Sequence, residues 1–378
     1  MARQNKTWTG IDIGSTGVRA AKVAGLDDDG FAVIERFAVI PLRGDAVMGG
    51  KVRNQAMVAQ AVKKAAKAVG ASSSSIVLGL SAPEQGVSRI ALPAGVKASE
   101  RIAALRTMQV QVAATVPTAE AALSTNFVRE ENTADGRRVA ALVVAAAMNA
   151  EVENLQRVCQ LAGFEPRAVD LAGAGTLRAL IRDLPNSRDA ATIVDIGATT
   201  TTIIAREGLH IRSVRSFTGG GLDLTRAVAA AARESLEDAE KRKYAMRLAT
   251  RQQTGQAGYG VLMDEDDEIK SRVGETAIER ALSTAADLLV DQIAQTVESD
   301  TASAQTRHIA LCGGASLTRG LKERLQRRLA LEVRIGHPWA RLERTKHNVE
   351  YFHNGREDPR LMLLLSTATG LALWRDVQ

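Results

Sequence analysis

Aromatic residues make up only 3% of this 378-residue chain. That leaves little for stacking on bases and argues against a single-stranded nucleic-acid platform. Two cysteines, Cys159 and Cys312, both in apolar surroundings, exclude a disulfide framework and read as reduced, packed thiols. The apolar stretches Ala140 to Met148 and Leu361 to Trp374 are too short or too interrupted to reach the roughly 20 residues of a spanning helix. Met1 to Gly10 lacks the charged-then-apolar layout of a signal peptide, so the expected location is cytoplasmic. No Gly-x-x-x-x-Gly-Lys-Ser/Thr loop is present, which argues against a P-loop NTPase. Five histidines occur without clustered cysteines or carboxylates, so no structural zinc is expected. The net charge of +6 comes from basic residues mixed with acidic ones, as in Glu237 to Lys243 and Arg319 to Arg328, and reads as solvated helix faces.

What is present in quantity is apolar sequence, 45% of residues, enough for a large core in two lobes or more. The organising stretch is Ile11-Asp12-Ile13-Gly14-Ser15-Thr16, which returns as Val194-Asp195-Ile196-Gly197-Ala198-Thr199. Each copy reads as strand, small-residue turn, strand, with Trp8 to Ile13 and Val18 to Val23 flanking the first and Thr192 to Ile196 and Thr200 to Ala205 the second. Gly14 and Gly197 let main-chain N–H groups approach a ligand, and the hydroxyls of Ser15, Thr16 and Thr199 add donors. Such turns suit phosphate. Asp12 and Asp195 would repel it, so the pair asks for a cation between them, and Mg²⁺ held through its waters meets that need. One Asp-x-Gly is an ordinary hairpin. Two copies suggest related lobes facing each other across a cleft.

This pair of hairpins resembles the two phosphate motifs of the actin, Hsp70 and hexokinase superfamily of ATP-binding proteins. Further along, Ser216 to Thr225 with its Gly219-Gly220-Gly221 turn resembles the segment that follows the second phosphate motif in the FtsA and PilM branch. Glu240 and Lys243, on one helix face, match the Glu-x-x-Lys that contacts ribose and adenine in relatives. Strand His308 to Leu311 followed by Gly313-Gly314 and a helix resembles the adenosine motif. Within the branch, Gly17 stands where FtsA carries Lys, and the basic residue falls at Arg19, as in the PilM family.

The resemblance implies a two-lobed α/β fold of the actin-like ATPase type, with duplicated ribonuclease H-like lobes and an inserted subdomain. Residues 1–85 and 168–190 are expected to form lobe one, with 360–378 returning to it. Residues 86–167 would be the insert and 191–359 lobe two, including a smaller subdomain at about 222–300. Helices are expected over Val52 to Val69, Ser99 to Val112, Ala150 to Leu161, Asp170 to Ile181, Thr276 to Val297 and Arg319 to Leu329. Strands are expected over Phe31 to Ile40, Ile76 to Leu80, Gly86 to Leu92, Leu123 to Arg129 and Arg138 to Met148, and a loop over Thr250 to Asp266.

By the same resemblance the cofactors are ATP and Mg²⁺. Asp12 and Asp195 would organise the metal through water and serve any phosphoryl transfer. Gly14, Ser15, Thr16, Gly197, Thr199, Gly220, Glu240, Lys243, Gly313 and Gly314 would bind the nucleotide. PilM sequences commonly carry Glu where this chain has Ala172, which implies slow hydrolysis or none. The implied role is a cytoplasmic component of the type IV pilus inner-membrane assembly platform. Its partner would be the N-terminal cytoplasmic segment of PilN, docked as an extended peptide between lobe one and the insert. Other platform and assembly-motor proteins are further partners. The membrane is reached only indirectly, nucleic acid is not contacted, and self-association is left open. An FtsA-like filament protein and a sugar-kinase-like phosphotransferase are the alternative readings.

Overall fold

The structure is a computed structural model that describes residues 7–112, 116–183, 190–208, 210–246, 266–300, 306–344, 352–353 and 356–374. The chain opens with β1 (Trp8–Gly14), β2 (Gly17–Leu26) and β3 (Ala32–Pro41), an antiparallel meander whose first turn is Ser15-Thr16. A small hairpin of β4 (Val47–Met48) and β5 (Lys51–Val52) turns through Gly49 and Gly50, both in the left-handed region. Helix α1 (Gln55–Ala68) starts where the Asn54 side chain accepts from the Met57 N–H and stops before Gly70. Val58, Ala61, Val62 and Ala65 form its buried stripe. Strand β6 (Ile76–Leu80), apolar and buried throughout, lies parallel to β1.

Then come β7 (Gln85–Pro93), α2 (Arg101–Thr107), β8 (Gln111–Val112), β9 (Val116–Pro117), β10 (Ala121–Asn132) and β11 (Arg138–Met148). The helix expected over Ser99 to Val112 ends early. Gln109 takes a left-handed conformation, and Val112 and Val116 pair as strands to close a local core with Leu92, Leu105 and Leu142. Helix α3 (Asn149–Leu161) packs on α1 and leads to β12 (Ala168–Leu171), parallel to β6. Helix α4 (Ala172–Leu180) crosses to the second half of the chain.

That half begins with β13 (Ala190–Ile196), β14 (Thr200–Glu207) and β15 (His210–Thr218), followed by α5 (Gly221–Ala232), α6 (Leu236–Ala245), α7 (Asp266–Ser299), β16 (His308–Cys312), α8 (Leu321–Leu329) and β17 (Glu332–Ile335). Helix α7 begins ten residues earlier than its apolar period indicates, and the remainder of the expected loop, Thr250 to Glu265, lies outside the described residues. Strand β18 (Ala340–Leu342) adds to β3, the short pair β19 (Phe352–His353) and β20 (Arg356–Glu357) follows, and α9 (Pro359–Ala372) returns against α4.

The two sheets repeat one plan. The first runs β12-β6-β1-β2-β3-β18, and the second contains β17-β16-β13-β14-β15 in the corresponding order. In each, three antiparallel strands are followed on one side by two parallel ones. This is the duplication that the two Asp-x-Gly hairpins announce. Strands β7, β11 and β10 extend the second sheet through the pairing of Val87 with Val214.

Candidate functional site

Between the sheets lies a cavity of about 1000 Å³, and both hairpins line it. Asp12, Gly14, Ser15 and Thr16 come from the β1–β2 turn, and Asp195 and Gly197 from the β13–β14 turn. Glu240 and Lys243 reach it from α6, and Gly313 and Gly314 from the end of β16. Thr199 and Gly220 stand behind this wall. The Thr199 hydroxyl shares a hydrogen bond with Ser15 and accepts the Gly49 N–H at 3.1 Å. Gly220 is pressed on the second hairpin, since a Cβ there would lie 2.4 Å from the Gly197 carbonyl oxygen.

The glycines divide by task. At Gly313, with φ +79°, a Cβ would come within 2.4 Å of Asp195 Oδ1 and 2.5 Å of the Ile196 carbonyl oxygen. At Gly314 a Cβ would meet nothing within 4 Å, so this residue presents bare backbone to the cavity. The Gly314 carbonyl is itself fixed by the Tyr244 hydroxyl, which donates at 3.0 Å.

Asp12 faces Arg19 directly across the hairpin, and the guanidinium approaches its carboxylate at 3.4 Å while donating to Thr16 Oγ1 at 2.9 Å. Burial raises the Asp12 pKa, and Arg19 only partly offsets it. Burial and then the charge of Asp12 push Asp195 up to about 6, against hydrogen bonds from Thr176 and Thr367. The two carboxylates therefore feel each other inside one cavity, with the Arg19 guanidinium acting on both. A cation relieves that repulsion. The donors that meet here are two carboxylates, a set that fits a hydrated ion rather than a fully protein-bound one.

Lys243 is 1% exposed, and its ammonium is consumed by the Gly221 carbonyl at 3.2 Å, Thr225 at 3.0 Å and Glu240 at 2.7 Å. Burial lowers its pKa. It ties α6 to the start of α5, while Glu240, 45% exposed at its side chain, is the member of the pair that opens to the cavity. The Gly221 and Leu222 N–H groups are likewise engaged, by the Gly197 and Ala198 carbonyls. Ala172 puts a methyl group on the cavity wall.

Three contributors were not read from the sequence. Thr176 donates to Asp195 Oδ2 at 3.0 Å, Thr367 approaches the same oxygen at 3.5 Å, and Tyr244 fixes Gly314. Both threonines sit in runs of Ala, Gly and Leu that signal close helix packing, and only the three-dimensional crossing reveals what their hydroxyls touch. The cysteines are buried and unbridged, as expected.

A family model described as type IV pilus assembly protein PilM matches residues 10–376 of the chain. No curated protein compared with the chain matches it. Among solved structures, one from a PilM–PilN type IV pilus biogenesis complex aligns with a TM-score of 0.73 and 20% identity over 97% of both chains. MreB5 of Spiroplasma citri bound to ADP aligns at 0.55 with 12% identity, covering 98% of this chain and 96% of that one. The ethanolamine utilization protein EutJ from Carboxydothermus hydrogenoformans aligns at 0.52 with 16% identity over 97% and 89%. The fold shared with these structures is the two-lobed α/β architecture of actin-like ATPases.

Proposed function

Since the chain belongs to the PilM family of type IV pilus assembly proteins, we propose that it binds ATP with Mg²⁺ between its two lobes and the N-terminal cytoplasmic segment of PilN on its surface. The observation that carries the nucleotide reading is the convergence of Asp12 and Asp195, from the two repeats, on one glycine-walled cavity. MreB5, of the same fold, has been solved with ADP, which supports a nucleotide in this cleft.

In this reading Asp12 and Asp195 would hold Mg²⁺ through water, and the backbone of Gly14, Ser15 and Gly197 would face the phosphates. Thr16 reaches them with its hydroxyl, and Thr199 keeps the two hairpin tips together from behind. Gly313 and Gly314 offer a flat surface to the adenosine, and Glu240 is the polar contact for its ribose. Gly220 and Lys243 act indirectly, by holding α5 and α6 in place. Bound Mg²⁺ would supply charge neutralisation to the phosphates. Hydrolysis is slow or absent because Ala172 has no group with which to orient water. Nucleotide mainly sets the angle between lobes.

PilN comes from the aligned PilM–PilN complex. A PilN tail would keep the chain at the inner membrane, since no helix among the described residues is long and apolar enough to cross one. Residues 1–85, 168–190 and 360–378 as lobe one, 86–167 as insert and 191–359 as lobe two remain the proposed division. Titration calorimetry with Mg²⁺·ATP tests the cleft: Asp195→Ala abolishes the binding heat, and an unchanged heat would discard the site. Pull-down with a synthetic PilN tail tests the partner.

A further inference from the structure

Asp195 lies on lobe two, yet both hydroxyls that reach it come from the helices that join the lobes. Thr176 is on α4, which leads from the first sheet to the second, and Thr367 is on α9, which leads back. Thr176 Oγ1 is 3.0 Å and Thr367 Oγ1 3.5 Å from the same carboxylate oxygen, Oδ2, and the two hydroxyls are 2.8 Å apart. Thr176 is fully buried and Thr367 nearly so.

The helices cross with backbone against backbone. A Cβ on Gly370 would fall 1.7 Å from the Gly175 carbonyl oxygen, so the hydroxyls sit within one turn of the contact point and cannot move independently of it. The protons also constrain the arrangement. Thr176 has one to give, and the Ala172 carbonyl at 3.2 Å competes with Asp195 for it. When it goes to Asp195, Thr176 accepts from Thr367 and the three groups form one chain. Oδ2 is then occupied. Oδ1, which takes no hydrogen bond from the described residues, is the oxygen available to a cation or its water.

We infer that Thr176 and Thr367 are positioning residues that hold the Asp195 carboxylate by one oxygen against the crossing of α4 and α9, turning the other toward a hydrated divalent cation. Their role is exerted through Asp195. The inference rests on the Mg²⁺·nucleotide reading of the cleft, and it gives that cation a direct route to the joint between the lobes: drawing on Asp195 draws on both connecting helices.

The test is ATP affinity by calorimetry, in Mg²⁺ and again in EDTA, for the full chain and for Thr176→Val, Thr367→Val and the corresponding Thr→Ser variants. Valine keeps the shape and removes the hydroxyl. The expected result is that Thr176→Val loses about tenfold of the affinity gained from Mg²⁺, the scale of one hydrogen bond to a charged group, and Thr367→Val, whose proton goes to Thr176, a smaller but measurable share, while the affinity of both in EDTA is unchanged and serine restores the gain. Should Thr176→Val not fold, Thr367→Val carries the test. Valine variants that keep the full Mg²⁺ gain, or lose affinity equally with and without Mg²⁺, would overturn the inference. A wild-type chain whose ATP affinity ignores Mg²⁺ would instead overturn the metal reading beneath it, an outcome visible without any variant.

Discussion

Ser15 and Thr199, 184 residues apart in the chain, share a hydrogen bond between the tips of the two hairpins. The same Thr199 oxygen accepts the buried Gly49 N–H, so one hydroxyl joins three segments. Thr199→Val should leave that amide unpaired and cost about 1–3 kcal/mol of stability, whereas Thr199→Ser should cost much less. Urea denaturation midpoints of the two variants check the difference.

Neighbouring glycines of the β16 turn should answer differently to the same substitution. Gly313→Ala forces a Cβ into Asp195 and Ile196 at a left-handed backbone position and should lower the melting temperature markedly. Gly314→Ala meets open space and should melt like the parent. Its added methyl group stands where the nucleotide is proposed to lie, so ATP affinity should fall.

At the crossing of the connecting helices there is no room for a methyl group. Gly370→Ala, with its Cβ 1.7 Å from the Gly175 carbonyl oxygen, must push α4 and α9 apart. A loss of about 3 kcal/mol or more, or failure to fold, is expected, and thermal unfolding followed by circular dichroism measures it.

The pKa of Asp195 is raised to about 6 by burial and by Asp12, so the folded chain binds this proton more tightly than the unfolded one. Its contribution to stability is therefore fully present below about pH 4, the ordinary carboxylate range, and is lost as pH rises through about 6. Asp195→Asn should flatten that slope in the ligand-free protein. A bound cation competes with the same proton, so Mg²⁺·ATP affinity should climb as pH rises through about 6 and level off above it. Calorimetry across that range gives the profile.

Lys243 behaves as a structural cation. Lys243→Met removes three contacts, two of them buried, and leaves the Gly221 carbonyl without its ammonium partner. Stability should fall by about 2–4 kcal/mol, read from denaturant unfolding, and nucleotide affinity should fall as a consequence of loosening α5 against α6.

Local signals in the sequence were enough for the hairpins, because alternation, a paired carboxylate and a glycine turn occur within a dozen residues. Strand β11 falls at Arg138–Met148, as its apolar run indicates. The end of α2 was illegible because no glycine or proline marks it: Gln109 takes the left-handed turn that the packing of Val112 and Val116 demands. The spacing of Glu240 and Lys243 shows that they share a helix face but not that the lysine is buried while the glutamate stays half exposed. Thr176 and Thr367 could not be paired with Asp195 from the text either. Their meeting depends on the helix crossing, as the joining of β7 to the second sheet depends on one long-range pairing, Val87 with Val214.

The β4–β5 hairpin has two anchorages. At its turn Gly49 holds Thr199, and one residue further Gly50 lies against the Ser81 carbonyl. Just past the turn Lys51 pairs with Glu84 at 2.6 Å and approaches Glu151 at 3.8 Å, beside the start of β7 and the first turn of α3. Three residues, Gly49 to Lys51, thus span from the seam between the hairpin tips to the starts of β7 and α3. The contacts at that root therefore connect to the seam by a path separate from the crossing of α4 and α9.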